Sequence, residues 1–221
     1  TVLFLDEPAA GSACAASGTA IAPASLPCAA RVLEVAADAT SLESAWRAAH
    51  GDAVAASDWT RATPDALPAV PPAEGPFDLI VLPGLLDALR DPAALLAALR
   101  PLAAPTASLH LAADNQATWN ALEALLEGDQ AEGPLPRRHT VATLTRMLLD
   151  AGWLPQVAAH EDTPHAPADT FAGPALALAA AHQVPRATLQ RTLSVERFTI
   201  QAVPATDPVP ARPSRTDAAF S

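Results

Sequence analysis

The sequence predicts a doubly wound α/β fold built on a mainly parallel sheet. Three observations predict it: short, continuous apolar runs that read as strands buried on both faces, helical-period segments between them, and a length of 221 residues that suits one domain. Such sheets bind ligands at the carboxyl ends of their strands, so function is sought in the loops that follow Leu5, Val35, Ser57 and Leu82.

Thr1 to Leu5 (TVLFL) is a β-branched and aromatic run that stops at Asp6-Glu7-Pro8 and reads as the first strand. Arg31 to Val35 (RVLEV) reads as the second. Thr40 stands three residues before Glu43 as a capping box, and Leu42, Ala45, Trp46 and Ala49 follow at helical spacing. Ala53 to Ser57 reads as a third strand ending at Asp58-Trp59. The prolines from Pro64 to Pro76 make that stretch a loop, because proline lacks the donor that a ladder or helix needs. Phe77 to Leu82 (FDLIVL) is a strand, and Asp91-Pro92 opens a helix with a Leu stripe at Leu95, Leu96, Leu99 and Leu102. Ser108 to Ala112 is the next strand. Helices are predicted around Trp119 to Leu126, from Thr140 to Gly152 and near Ala175 to His182, with strands at Trp153 to Ala158 and Val195 to Val203. The folded domain is thus expected over residues 1–203, and the Pro-rich, polar residues 204–221 form a disordered tail on this reading.

Composition removes several functions. The 13 basic residues are all Arg, and Lys and Tyr are absent, which excludes Schiff-base chemistry, phosphate-loop nucleotide binding through Lys and Tyr acid catalysis. A net charge of -11 repels a phosphate backbone, so no nucleic acid is expected as a partner. Cys14 and Cys28 lack CxxC spacing and a nearby His pair; neither a disulfide framework nor a metal site is indicated, and a reducing cytoplasm fits best. The apolar stretches are short or broken by Asp87, Arg90 and Asp91, so no membrane segment and no signal peptide are read.

The run FDLIVLPGLLDALRDPAALLAALRPLAAPTASLHLAADN, Phe77 to Asn115, resembles the middle of class I S-adenosylmethionine-dependent methyltransferases of the type 11/12 kind. Leu86-Asp87-Ala88-Leu89 occupies that family's LEHl place, Asp91-Pro92 its dP and Asp114-Asn115 its PN. TVATLTRMLLDAGW is similar to its fT..sL..lL..aGF helix, and SVERFTIQAV to its last strand. The resemblance covers roughly two thirds of the chain. It implies a Rossmann-like fold with an antiparallel last strand, S-adenosylmethionine as cofactor, and a small molecule or saccharide as methyl acceptor.

The family's first strand ends in an acidic residue and a Gly-x-Gly-x-Gly loop, and no such loop exists here. One register takes TVLFLDEPAAGSA as this element, with Asp6 at the acidic position and Gly11 one place off the glycine pattern. The other takes RVLEVAADATS, giving Glu34, Ala36, Asp38 and Thr40. Order and spacing favour the first. The resemblance then puts Asp58 by the adenine amine with Trp59 beside it, Asp38 near the ribose hydroxyls, and Pro83 and Gly84 on the methyl-transfer side. Each has a plainer alternative: Asp58 as a turn-former, Asp38 as part of the loop before the capping box, Trp59 as a packing residue.

Methyl transfer to oxygen or nitrogen needs a base where the acceptor must lose a proton, and His139 is the candidate, since the family's LEH histidine is Ala88 here. Arg137 and Arg138 could hold an anionic acceptor or form a solvated turn. His160 and His165 suit a metal only if their loop folds back, and His110 reads as a core histidine. Two functions stay open: a methyltransferase, or a methyltransferase-like domain that has lost the cofactor and serves as an interaction module with a protein partner or as a homo-oligomer.

Overall fold

The computed structural model describes residues 21–37, 41–69, 75–115, 118–119, 139–162, 173, 176–177, 181 and 185–206. Among these residues six strands form one sheet: β1 (Arg31–Val35), β2 (Asp58–Ala62), β3 (Phe77–Leu82), β4 (Ala103–Asp114), β5 (Trp153–Asp162) and β6 (Val195–Pro204), in the order β2-β1-β3-β4-β6-β5. β2, β1, β3 and β4 pair in parallel, and β6 runs antiparallel to both β4 and β5. The predicted fold class holds, antiparallel last strand included.

The alternating side chains of the central strands feed two cores, which is why these strands read as unbroken apolar runs. On one face Leu33, Val35, Ile80, Leu82, Leu109 and Leu111 pack against the helices α2 (Pro92–Leu99) and α3 (Val141–Asp150). On the other, Val32, Leu79, Val81 and Ala112 pack against Leu42, against Trp46 of α1 (Glu43–His50), and against Ile21 and Leu26. A further helix, α4 (Arg186–Ser194), leads directly into β6; the sequence reading has no element there. The predicted helix near Ala175 to His182 and the one around Trp119 to Leu126 lie almost wholly outside the described residues, as do the strand at Thr1 to Leu5 and residues 207–221.

Helix ends follow their sequence signals in two cases and depart in one. Asp91 caps α2 by accepting the Ala94 N–H at 3.0 Å with Pro92 behind it, and Thr140 caps α3 through a reciprocal box with Thr143. α1 is capped differently. Its N-cap is Leu42, without a side-chain cap of its own; the Leu42 N–H goes to the Glu34 carboxylate at 3.0 Å and the Glu43 N–H to the Ser41 hydroxyl at 3.2 Å. The expected box member Thr40 lies outside the described residues.

The third predicted strand is corrected. Gly51, at φ +56, ends α1 and the chain turns through a 3-10 segment, Gly51–Val54, so Val54 enters the core from a turn. The strand is instead Asp58–Ala62. Only Ala62 in it is buried, and as an edge strand it offers no apolar run to read.

Candidate active site at the carboxyl edge of the sheet

From β1 the chain moves outward to β2 and then returns to place β3 on the other side of β1. The point where the strand order reverses therefore lies between the carboxyl ends of β1 and β3, the crevice where open α/β sheets bind ligands. Ala37, exposed, follows β1 there, and half-buried Pro83 and exposed Gly84 follow β3, Gly84 at φ +66, in the left-handed region that glycine adopts without strain. Among the described strands it is Arg31–Val35 that stands at the reversal, so the register giving Glu34, Ala36, Asp38 and Thr40 is the one aligned with the crevice. The preferred register, with Asp6 and Gly11, lies outside the described residues, as does Asp38.

Glu34 is fully buried, and both of its oxygens are spent on the protein. Oε1 accepts the Leu42 N–H; Oε2 accepts the Ser41 hydroxyl at 2.6 Å and the Trp59 indole N–H at 3.0 Å. The carboxylate thus ties β1, the start of α1 and β2 together. Ala36 is buried and its amide donates to the Ala62 carbonyl at 3.2 Å.

Asp58 and Trp59 open β2. Asp58 is the first residue of β2 and pairs in register with Arg31, the first residue of β1, which puts it at the amino edge of the sheet. There its exposed carboxylate lies 3.8 Å from the Arg31 guanidinium. Trp59 packs on Trp46 at 5.1 Å between ring centroids and holds Glu34. The strand end expected at Asp58-Trp59 is instead the beginning of β2.

A polar cluster lies one strand further along the same edge. β4 continues past the end of β3, whose Leu82 pairs with Leu111, and the extra length is flanked by Asp87 and His139. Asp87 Oδ2 accepts the Asp114 N–H at 3.0 Å, and the His139 N–H donates to the Asp114 carbonyl at 3.2 Å. Asn115 forms a bridge with His139 and donates from its amide side chain to the Thr192 and Val195 carbonyls. Arg197 Nε donates to Asp114 Oδ1 at 2.9 Å. Two buried side-chain atoms of this cluster have no hydrogen-bond partner among the described residues: Asp87 Oδ1 and His139 Nε2. Burial pushes the Asp87 carboxyl up; the Asp114 amide opposes this, the Asp114 charge adds to it, and His139 and Arg197 pull it down.

Of the predicted residues, the structure places His139, Pro83 and Gly84 along the carboxyl edge, Asp58 at the amino edge, and Trp59 against Glu34. The sequence reading missed Asp87, Asp114 and Arg197 as one cluster, although the LEHl-like and PN-like positions had marked the first two. Arg137, Arg138 and His165 lie outside the described residues, and no group of three metal-ligating side chains occurs among the described ones. No described helix is long and apolar enough to cross a membrane.

No protein-family model and no curated protein sequence matches the chain. Solved structures do. A chain from the complex of the Haloferax volcanii Trm112 methyltransferase activator with a methyltransferase is 13% identical with a TM-score of 0.50, over 84% of this chain and 87% of that one. A Mesorhizobium loti S-adenosylmethionine-dependent methyltransferase is 18% identical (TM-score 0.44; 80% and 93% covered). The Burkholderia thailandensis 1,6-didemethyltoxoflavin-N1-methyltransferase is 15% identical (TM-score 0.45; 80% and 72% covered). The chain has the Rossmann-like fold of class I S-adenosylmethionine-dependent methyltransferases.

Proposed function

We propose that the chain is an S-adenosylmethionine-dependent methyltransferase for a small molecule or saccharide, with His139 as the base. The observation that carries this reading is the notch at the end of β4. A histidine with a buried, unpartnered Nε2 and a carboxyl with a buried, unpartnered Oδ1 both bond the Asp114 backbone, one strand away from the crevice of the fold. Buried polar atoms are nearly always hydrogen-bonded, so two open ones in one place mark where a donor-bearing molecule fits.

The cofactor, when bound, supplies an electrophilic methyl group. The residues around the crevice fit it in part. Ala37 and Gly84 stand exposed at the two strand ends, with half-buried Pro83 beside Gly84. Asp65, exposed beyond the carboxyl end of β2, is an acidic group among the described residues on the edge where a ribose would lie, in addition to the candidate Asp38. Asp38 and Thr40 would complete the loop after β1. In the reaction His139 Nε2 takes the acceptor's proton as the acceptor attacks, and the chain holds the two in line.

A second reading, a domain that has given up the cofactor, starts from the sequence: no glycine stands in the loop after β1. Calorimetric titration with S-adenosylmethionine and S-adenosylhomocysteine separates the two. Micromolar binding that persists in Asp58→Ala, a change at the opposite edge, supports the enzyme; no heat and no thermal shift at millimolar ligand overturns it. Given binding and an acceptor, His139→Ala is expected to lower kcat about a hundredfold with little change in cofactor affinity, and an unchanged kcat removes His139 from the reaction.

A further inference from the structure

At the amino edge of the sheet, opposite the crevice, an exposed thiol stands on a preformed base. Cys28, three residues before β1, places Sγ 3.5 Å from Nδ1 of His50, the last residue of α1. The surroundings fix this pair. Leu26 is buried, the Trp46 indole N–H donates to the Pro27 carbonyl at 3.3 Å, and the Trp46 ring lies against the His50 ring at 5.5 Å between centroids. His50 is half-buried, its Nε2 is buried without a partner among the described residues, and it is the last residue of α1.

We propose that Cys28 and His50 form a thiol-exchange site that takes small-molecule disulfides. A Cys with an adjacent imidazole as base is the minimal arrangement of an activated thiol, and here the sulfur is exposed while the base is held from behind. His50 Nδ1 accepts the thiol proton as Sγ attacks one sulfur of the disulfide. The new S–S bond forms while the old one breaks, and the departing thiolate recovers the proton from His50. Cys28 is thereby oxidised to the mixed disulfide and half of the reagent is reduced to a thiol. The product places a bulky group at the amino edge of β1, against the turn that holds Trp46. This site is independent of the methyltransferase reading.

The test uses the full chain carrying Cys14→Ser, so that Cys28 is the one remaining thiol. Its rate with a chromogenic aromatic disulfide at neutral pH is compared with that of the same protein carrying His50→Gln, and oxidised glutathione with mass spectrometry identifies the adduct. The rate is expected to fall about tenfold or more on loss of the base. A second comparison needs no variant at the base: the Cys14→Ser protein is expected to react faster folded than in urea, where His50 no longer stands beside the sulfur. Equal rates in the two variants, or a faster rate in urea than in the folded protein, overturn the proposal.

Discussion

Glu34→Ala is expected to destabilise the protein by about 4 kcal/mol, a large part of the 5 to 15 kcal/mol that a domain ordinarily has. Three donors lose their acceptor at once: the Leu42 N–H at the start of α1, the Ser41 hydroxyl and the Trp59 indole N–H. The site is fully buried, so water does not replace the carboxylate without opening the structure. The cost is spread over three elements, because the same carboxylate joins β1, α1 and β2. Glu34→Gln keeps an acceptor for Leu42 but turns an amide N–H₂ toward the Trp59 N–H, two donors face to face, and is expected to cost about 2 kcal/mol. Urea unfolding with an unchanged slope measures both. A loss under about 1 kcal/mol for Glu34→Ala would mean that the loop from Ser41 to Leu42 finds other acceptors, and the carboxylate would no longer count as the anchor of the crevice.

This same residue shows why the sequence was legible in some places and not in others. The runs RVLEV and FDLIVL were readable as strands because both of their faces are buried, and the caps at Asp91 and Thr140 were readable because a short polar side chain before an apolar stripe has one common use. Edge strand β2 was not readable. DWTRA buries Ala62 alone, whereas AVAAS, more apolar, forms a turn that inserts Val54 under Trp46. Burial is what an apolar residue requires, and a turn can supply it as well as a strand. That single shift carried Asp58 to the wrong edge of the sheet and moved the preferred register of the cofactor loop away from Arg31–Val35. The notch was half legible: His139 and the Asp114-Asn115 pair were visible as motif positions, but nothing in the spacing indicated that Asp87 and His139 would flank one stretch of β4. That arrangement depends on β4 outrunning β3, a tertiary fact.

Acidification is expected to destabilise the fold by up to about 3 kcal/mol through His110 alone. His110 lies within β4 between Val81 of β3 and Gln201 of β6, on the face it shares with Ala112 and the Trp46 core. It is 6% exposed, and Nε2 has no partner among the described residues. Burial lowers its pKa from 6.5 to about 4. The folded state therefore resists a proton that the unfolded chain takes up readily. The contribution is fully present above pH 6.5, is lost as pH falls through the window between 6.5 and 4, and levels off below that, where the folded protein is protonated too. Asp87 works in the other direction: its carboxyl is raised, so ionising it as pH rises favours the unfolded chain. Comparing wild type with His110→Leu at each pH cancels Asp87 and every other carboxylate, because only the histidine differs. The variant is expected to match or exceed wild type at pH 7 and to gain on it steadily down to pH 4. A constant difference between the two across that range would show that His110 is protonated as easily inside the sheet as outside it, and that the face above it is open to water.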